Sequence, residues 1–192
     1  MSIRTLVIIP TYNEAMRIEQ TLGELVAVAH TISDDYELSI LHVDDNSPDG
    51  TAKLAKELKL ANFFQLIRPG KGGLGPAYIA GFEWALARDF EVIVEMDADG
   101  SHLAAELPGL LAKLEGNGLT IGTRWIPGGS VVNWPWYRQL ISKVGTRYAQ
   151  KALKLPYRDL TSGYRAFSRE ALVKIPLESI QSKGYGFQIE LV

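Results

Sequence analysis

The chain of 192 residues is 46% hydrophobic and carries a formal net charge of -2, which suits one domain (1–192) with its own core and excludes disordered or repeat architectures. It has no cysteine, so disulfide frameworks, thiolate zinc sites and a cysteine nucleophile are excluded together, and a cytoplasmic setting fits. Charge is unevenly spread: 119–169 holds nine Lys or Arg and one acid, Asp159, against eleven basic and twenty-one acidic residues elsewhere, a pattern read either as a seat for an anionic partner or as a solvated positive face.

The N-terminal apolar run is too short for a signal peptide, and no stretch reaches the length of a membrane span. Short apolar runs rich in β-branched or aromatic residues at 5–9, 38–43, 63–67 and 92–96 predict buried strands. Amphipathic stretches at 15–30, 49–58 and 77–87 predict helices between them. The resulting βαβαβαβ order predicts an α/β fold, a mostly parallel Rossmann-like sheet with helices on both faces. Ligands of such sheets collect at the carboxyl ends of the strands, and there the sequence sets Pro10-Thr-Tyr-Asn-Glu14, Asp44-Asp-Asn-Ser47, Lys71 and Asp97-Ala-Asp99. Beyond residue 121 the alternation stops. A loop rich in Gly, Pro and Trp leads to a predicted helix over 138–153, so the last third reads as a C-terminal elaboration. The chain stops in the middle of an apparently regular element, 187–192, with no cap or polar tail, which predicts a protein that continues.

Asp97 and Asp99 leave the fourth strand together. Two carboxylates so placed either hold a Mg²⁺ or Mn²⁺ whose shell is completed by water and phosphate, or cap the following segment. His102 is a third ligand, a contact to a leaving phosphate, or a structural imidazole; with three histidines and no helical His pair, zinc is a poor fit. Asp44 and Asp45 stand where nucleotide-binding sheets often place acids for a base or ribose, although Asp45-Asn-Ser-Pro-Asp-Gly50 is equally good turn chemistry. Gly70-Lys-Gly-Gly-Leu-Gly75 fits G-x-G-x-x-G. It follows the third strand rather than the first, which favours a flexible loop bringing Lys71 and amides to a diphosphate over a dinucleotide fingerprint. Arg124, Arg138 and Ser142 suit a phosphate monoester, the last two being one helical turn apart. Lys143, Arg147, Lys151 and Lys154 form a basic stripe preceded by Trp125, Trp134 and Trp136, a pairing that points to a membrane interface. No nucleic-acid motif accompanies this charge, so no nucleic-acid partner is expected.

Taken in order, Val7-Ile-Ile-Pro-Thr-Tyr-Asn-Glu14, Val43-Asp-Asp-Asn-Ser-Pro-Asp-Gly-Thr51, Gly70 to Gly75, Glu95-Met-Asp-Ala-Asp-Gly-Ser-His102, Gly122-Thr-Arg124 and Asp159-Leu-Thr-Ser-Gly-Tyr-Arg165 resemble a family 2 glycosyltransferase with the GT-A fold. Within that family they closely resemble the dolichol-phosphate or polyprenol-phosphate mannose synthases, and the stretch 125–136 is similar to the actinobacterial type in particular. The resemblance implies GDP-mannose as donor, with Pro10, Tyr12, Glu14, Asp44, Asp45, Lys71 and Ala98 around it, and a divalent Mg²⁺ or Mn²⁺ on Asp97 and Asp99. It implies a polyprenyl phosphate acceptor received by Arg124, Arg138 and Ser142, with Asp97, Asp99, Arg124 and Arg138 as the catalytic set. It also implies a peripheral place at the inner membrane face, with a membrane-anchor protein as a partner. Ser101 stands where many such enzymes have Gln. UDP-glucose as donor, a silent nucleotide-sugar-binding scaffold, and a nicotinamide oxidoreductase using the 70–75 loop are the rival readings.

Overall fold

A computed structural model describes residues 2–123, 159–182 and 185–192. Six strands form one sheet in the order β3-β2-β1-β4-β6-β5. They are β1 (Ile3–Thr11), β2 (Tyr36–Asp44), β3 (Phe63–Ile67), β4 (Val92–Glu95), β5 (Leu119–Ile121) and β6 (Arg165–Ser168). The first four run parallel, and β6 enters antiparallel between β4 and β5.

The apolar runs that predict strands are continuous because β1 is covered on both faces. Val7 and Ile9 pack with Leu22 and Leu25 of α1 (Ile18–Thr31), whereas Leu6 and Ile8 pack with Tyr78 and Phe82 of α3 (Leu74–Leu86). The first layer also takes Ala55 from α2 (Thr51–Glu57) and Leu110 from α4 (Leu107–Ala112), and the second takes Leu172 from α5 (Arg169–Leu172) and Phe187 from α6 (Tyr185–Glu190).

Several boundaries differ from the periodicity, each for a local reason. α1 begins at Ile18 rather than 15, because the amides of Arg17 and Ile18 both turn back onto the Glu14 carbonyl. β1 runs on through Pro10 and Thr11. Its pairing with β4 ends at Ile8 and Glu95, so Pro10 lies past the end of that ladder and its missing N–H breaks no bond there. α3 begins at Leu74, so it absorbs Gly75. A Cβ on Gly75 would lie 2.9 Å from the Phe187 ring, so this glycine serves close helix packing, while Gly73, at φ +92°, makes the turn. The last third is only partly an elaboration, since β6 is built into the sheet next to β4. The helix predicted over 138–153 lies outside the described residues.

The chain passes from β1 outward to β2 and β3, then returns to place β4 on the other side of β1. This reversal opens a crevice at the carboxyl ends of β1 and β4.

Candidate active site

The crevice is a cleft of about 310 Å³. Pro10, Thr11, Tyr12 and Glu14 reach it from β1, Asp45 from β2, Lys71, Gly73, Leu74 and Ala77 from the β3–α3 connection, and Asp97, Ala98 and Asp99 from β4. Eight of the residues singled out in the sequence, Pro10, Tyr12, Glu14, Asp45, Lys71, Asp97, Ala98 and Asp99, thus line one cleft. Asp44 does not line it. Its side chain is fully buried beneath the loops, taking 2.7 Å bonds from the Thr11 hydroxyl and from the Ser47 amide and hydroxyl. Arg124, Arg138 and Ser142, the three tryptophans and the basic stripe lie outside the described residues.

The loops on the β1–β2 side are sewn together by side chains. Amides of Asn13, Glu14 and Ala15 donate to Ser47 Oγ, Thr51 Oγ1 and Asp49 Oδ2, each at 3.0 Å. Asp45, 3% exposed, pairs with Arg68 and accepts the amides of Gly72 and Gly73 at 2.8 and 3.1 Å, so it clamps the glycine loop. That clamp leaves the Lys71 ammonium 4.3 Å from the centre of the Tyr12 ring, a cation–π contact at the cleft mouth.

The β4 side is built differently. The Tyr78 hydroxyl donates to Asp97 Oδ1 at 2.8 Å; burial, together with the charges of Asp97 and Glu95, holds this phenol well above its ordinary range and so keeps it a donor. The Asp97 amide donates to His102 Nδ1 at 2.9 Å, and the His102 ring stacks on Tyr164 at 5.0 Å. With Nδ1 used as an acceptor, the ring proton is on Nε2, which stands 3.9 Å from Asp97 Oδ2. His102 therefore braces Asp97 from behind. Gly163 closes the same space: a Cβ there would lie 3.2 Å from Asp97 Oδ2 and 3.3 Å from His102 Cε1. Asp99 accepts the Ser101 amide at 2.9 Å, and Arg17 donates to the Asp99 carbonyl. Burial raises the Asp99 carboxyl, but the Ser101 bonds, His102 and Arg17 outweigh it and hold the group below the usual range. Glu14, across the cleft, is pushed up, first by burial and then by the Asp99 charge, with Arg17 opposing and Asp49 and Asp97 adding to the rise.

The donor chemistry fits a hard divalent cation. Asp97 and Asp99 offer the oxygen donors that a hard divalent cation prefers, and among the described residues no group of three acidic or imidazole side chains is placed to hold one. Glu14 is raised first by burial and then by Asp99, and a cation at Asp97 and Asp99 would lessen only the charge part of that rise. Tyr78, Arg17, Arg68, Thr11 and Gly163 were not legible as site residues. Tyr78 had one signal, a hydroxyl among the apolar residues of the first turns of α3, which when buried demands a partner.

A switch-point cleft with paired carboxylates and a clamped glycine loop is the geometry of a GT-A glycosyltransferase. The chain belongs to glycosyl transferase family 2, whose model matches residues 6–175. It is 50% identical to the polyprenol monophosphomannose synthase of Mycolicibacterium smegmatis over 98% of this chain and 70% of that protein. It is 46% identical to the undecaprenyl-phosphate mannosyltransferase of Micrococcus luteus over 98% of this chain and 76% of that protein. The glucosyl-3-phosphoglycerate synthase of Mycobacterium tuberculosis, solved with Mn²⁺, UDP and phosphoglyceric acid, shares the fold at a TM-score of 0.64 and 23% identity, over 98% of this chain and 62% of that one.

Proposed function

We propose that this glycosyltransferase moves mannose from GDP-mannose to a polyprenyl phosphate, in one inverting displacement that gives a β-linked lipid-phosphate mannose. The observation that carries the reading is the gathering of Tyr12, Glu14, Asp45, Lys71, Asp97 and Asp99 around one cleft in a chain half identical to a polyprenol monophosphomannose synthase. The acceptor is its own nucleophile. A phosphate monoester has a second pKa of about 6 and is largely dianionic at neutral pH, so no general base is needed.

The protein's task is then alignment and charge. In this reading Pro10, Tyr12, Glu14, Asp45 and Ala98 hold the nucleoside side of the donor, with Asp44 setting the loops from below. Lys71 leaves the Tyr12 ring for the diphosphate. Asp97 and Asp99 hold Mg²⁺ or Mn²⁺, which when bound neutralises the departing diphosphate. Arg124, Arg138 and Ser142 receive the acceptor phosphate. Among the described residues no helix is long and apolar enough to cross a membrane. The reading places the enzyme peripherally at the cytoplasmic face, held by its basic third and by a membrane-anchor partner.

The test incubates the purified chain with GDP-mannose or UDP-glucose, Mn²⁺ and polyprenyl phosphate in detergent, and reads the product's anomeric configuration by NMR. Metal-dependent β-mannosyl product is expected. A glucosyl product would replace the donor, and an α-linked product would overturn the single displacement.

A further inference from the structure

His42, fully buried in β2, is used by none of the chemistry above. Both ring nitrogens are engaged: Nε2 lies 2.7 Å from Thr11 Oγ1 and Nδ1 lies 3.1 Å from Gln65 Nε2. Gln65 Nε2 also donates to the Ala52 carbonyl at 2.8 Å, and since a carbonyl only accepts, this end of the amide is the N–H₂ end. His42 Nδ1 is therefore an acceptor and the ring proton rests on Nε2, donating to Thr11 Oγ1. The hydroxyl proton of Thr11 then goes to Asp44 Oδ2 at 2.7 Å. Asp44 also takes the Ser47 hydroxyl, and Ser47 Oγ in turn accepts the Asn13 amide at 3.0 Å. The Ala52 carbonyl at one end and the Asp44 carboxylate at the other, both acceptors only, thus fix a single imidazole tautomer in a chain of bonds that runs from Gln65 through Thr11, Asp44 and Ser47 to Asn13.

The ring is suited to this by resisting charge. Burial pushes its pKa down to about 4 against the upward pull of Asp44, so near neutral pH it keeps one donor and one acceptor. Burying an imidazole on the face of β2 that carries Leu38 and Ile40, with the Phe63 ring 6.2 Å away, is costly unless both nitrogens are satisfied, and both are.

We propose that His42 is a positioning residue of the donor cleft: acting through Thr11 and Asp44, it fixes the two loops, 11–14 and 44–51, that carry Tyr12, Glu14 and Asp45 to the ligand. The functional half of this inference rests on the donor-cleft reading above; the structural half does not. Two near-isosteric substitutions separate positioning from simple packing. In His42→Gln the amide nitrogen reaches the position of Nε2 and keeps a donor to Thr11. In His42→Asn the side chain ends at the position of Nδ1 and keeps only the Gln65 contact.

The experiment compares both variants with the wild type by hydrogen exchange at the Asn13 and Ser47 amides, with α3 amides as the control, and by titration with GDP and UDP in the presence of Mn²⁺. Thermal melting of each protein runs alongside. His42→Asn should speed exchange at Asn13 and Ser47 about tenfold over the α3 control and weaken nucleotide binding by about tenfold, with His42→Gln within about threefold of wild type on both. Equal exchange and equal affinity in the two variants, or changes that follow melting temperature alone, would overturn the proposal. A wild type that binds UDP rather than GDP would overturn the donor assigned above and leave the His42 comparison standing, because exchange is read without ligand.

Discussion

The acids that follow β2 and those around the end of β4 share one edge of the sheet but are handled in opposite ways. Asp44, Asp45 and Asp49 are consumed by the fold: each accepts at least two donors from neighbouring loops. Around the end of β4 negative charges instead crowd one another. Glu95 is pushed up to about 8 by burial, with Arg165 3.9 Å away opposing and Asp97 adding to the rise, so its neutral form is favoured. Glu14, facing them from the end of β1, is raised by burial and then by Asp99. The first group uses its charge to set loop geometry, Asp45 while also lining the cleft, whereas Asp97 and Asp99 press their charge on the other acids around it. Carboxylates at one strand edge are therefore not functionally equivalent, and only their donors tell them apart.

Substitutions on the two sides should separate cleanly. The largest effect is expected from Asp99→Asn, which should lower kcat by about 1000-fold while changing melting temperature little, because relief of the repulsion on Glu14 offsets the loss of the Ser101 and Arg17 interactions that favour the Asp99 charge. Steady-state rates and thermal unfolding measure both, and a variant that loses several degrees would place Asp99 with the structural group. Asp44→Ala should do the reverse in kind. It strands the Thr11 and Ser47 donors and should cost about 3 kcal/mol of stability in urea unfolding. A fully stable Asp44→Ala protein with impaired binding would instead make Asp44 a ligand contact.

The smallest effect is a pH dependence from Glu95. Its folded pKa of about 8 lies above the ordinary 4.5, so the folded state holds the proton more tightly. The associated stabilisation is present below about pH 4.5 and is lost as pH rises through 8. Between pH 6 and 9 the wild type should lose on the order of 2 kcal/mol, whereas Glu95→Gln should stay nearly level; equal slopes in denaturant unfolding would count against it.

Much of this was legible in the chain itself. The four parallel strands announce themselves because burial on both faces demands unbroken apolar runs, and the residues that break those runs, Tyr12, Asp45, Lys71 and Asp99, fall at strand ends where the crevice must lie. β6 was not legible: Arg165 interrupts its apolar pattern. It is tolerated in the core only because the Ser162, Gln188 and Leu160 carbonyls take its guanidinium at 2.7 to 2.8 Å. The sequence by itself determined the fold class, the family and the edge at which chemistry occurs, since these follow from local periodicity and motif order. Tertiary structure alone decided that Asp44 lies under the cleft, that Tyr78 and Gly163 shape Asp97, and that His42 commands a bond network. Those depend on which side chains far apart in the chain meet within 3 Å, and no local pattern encodes such meetings.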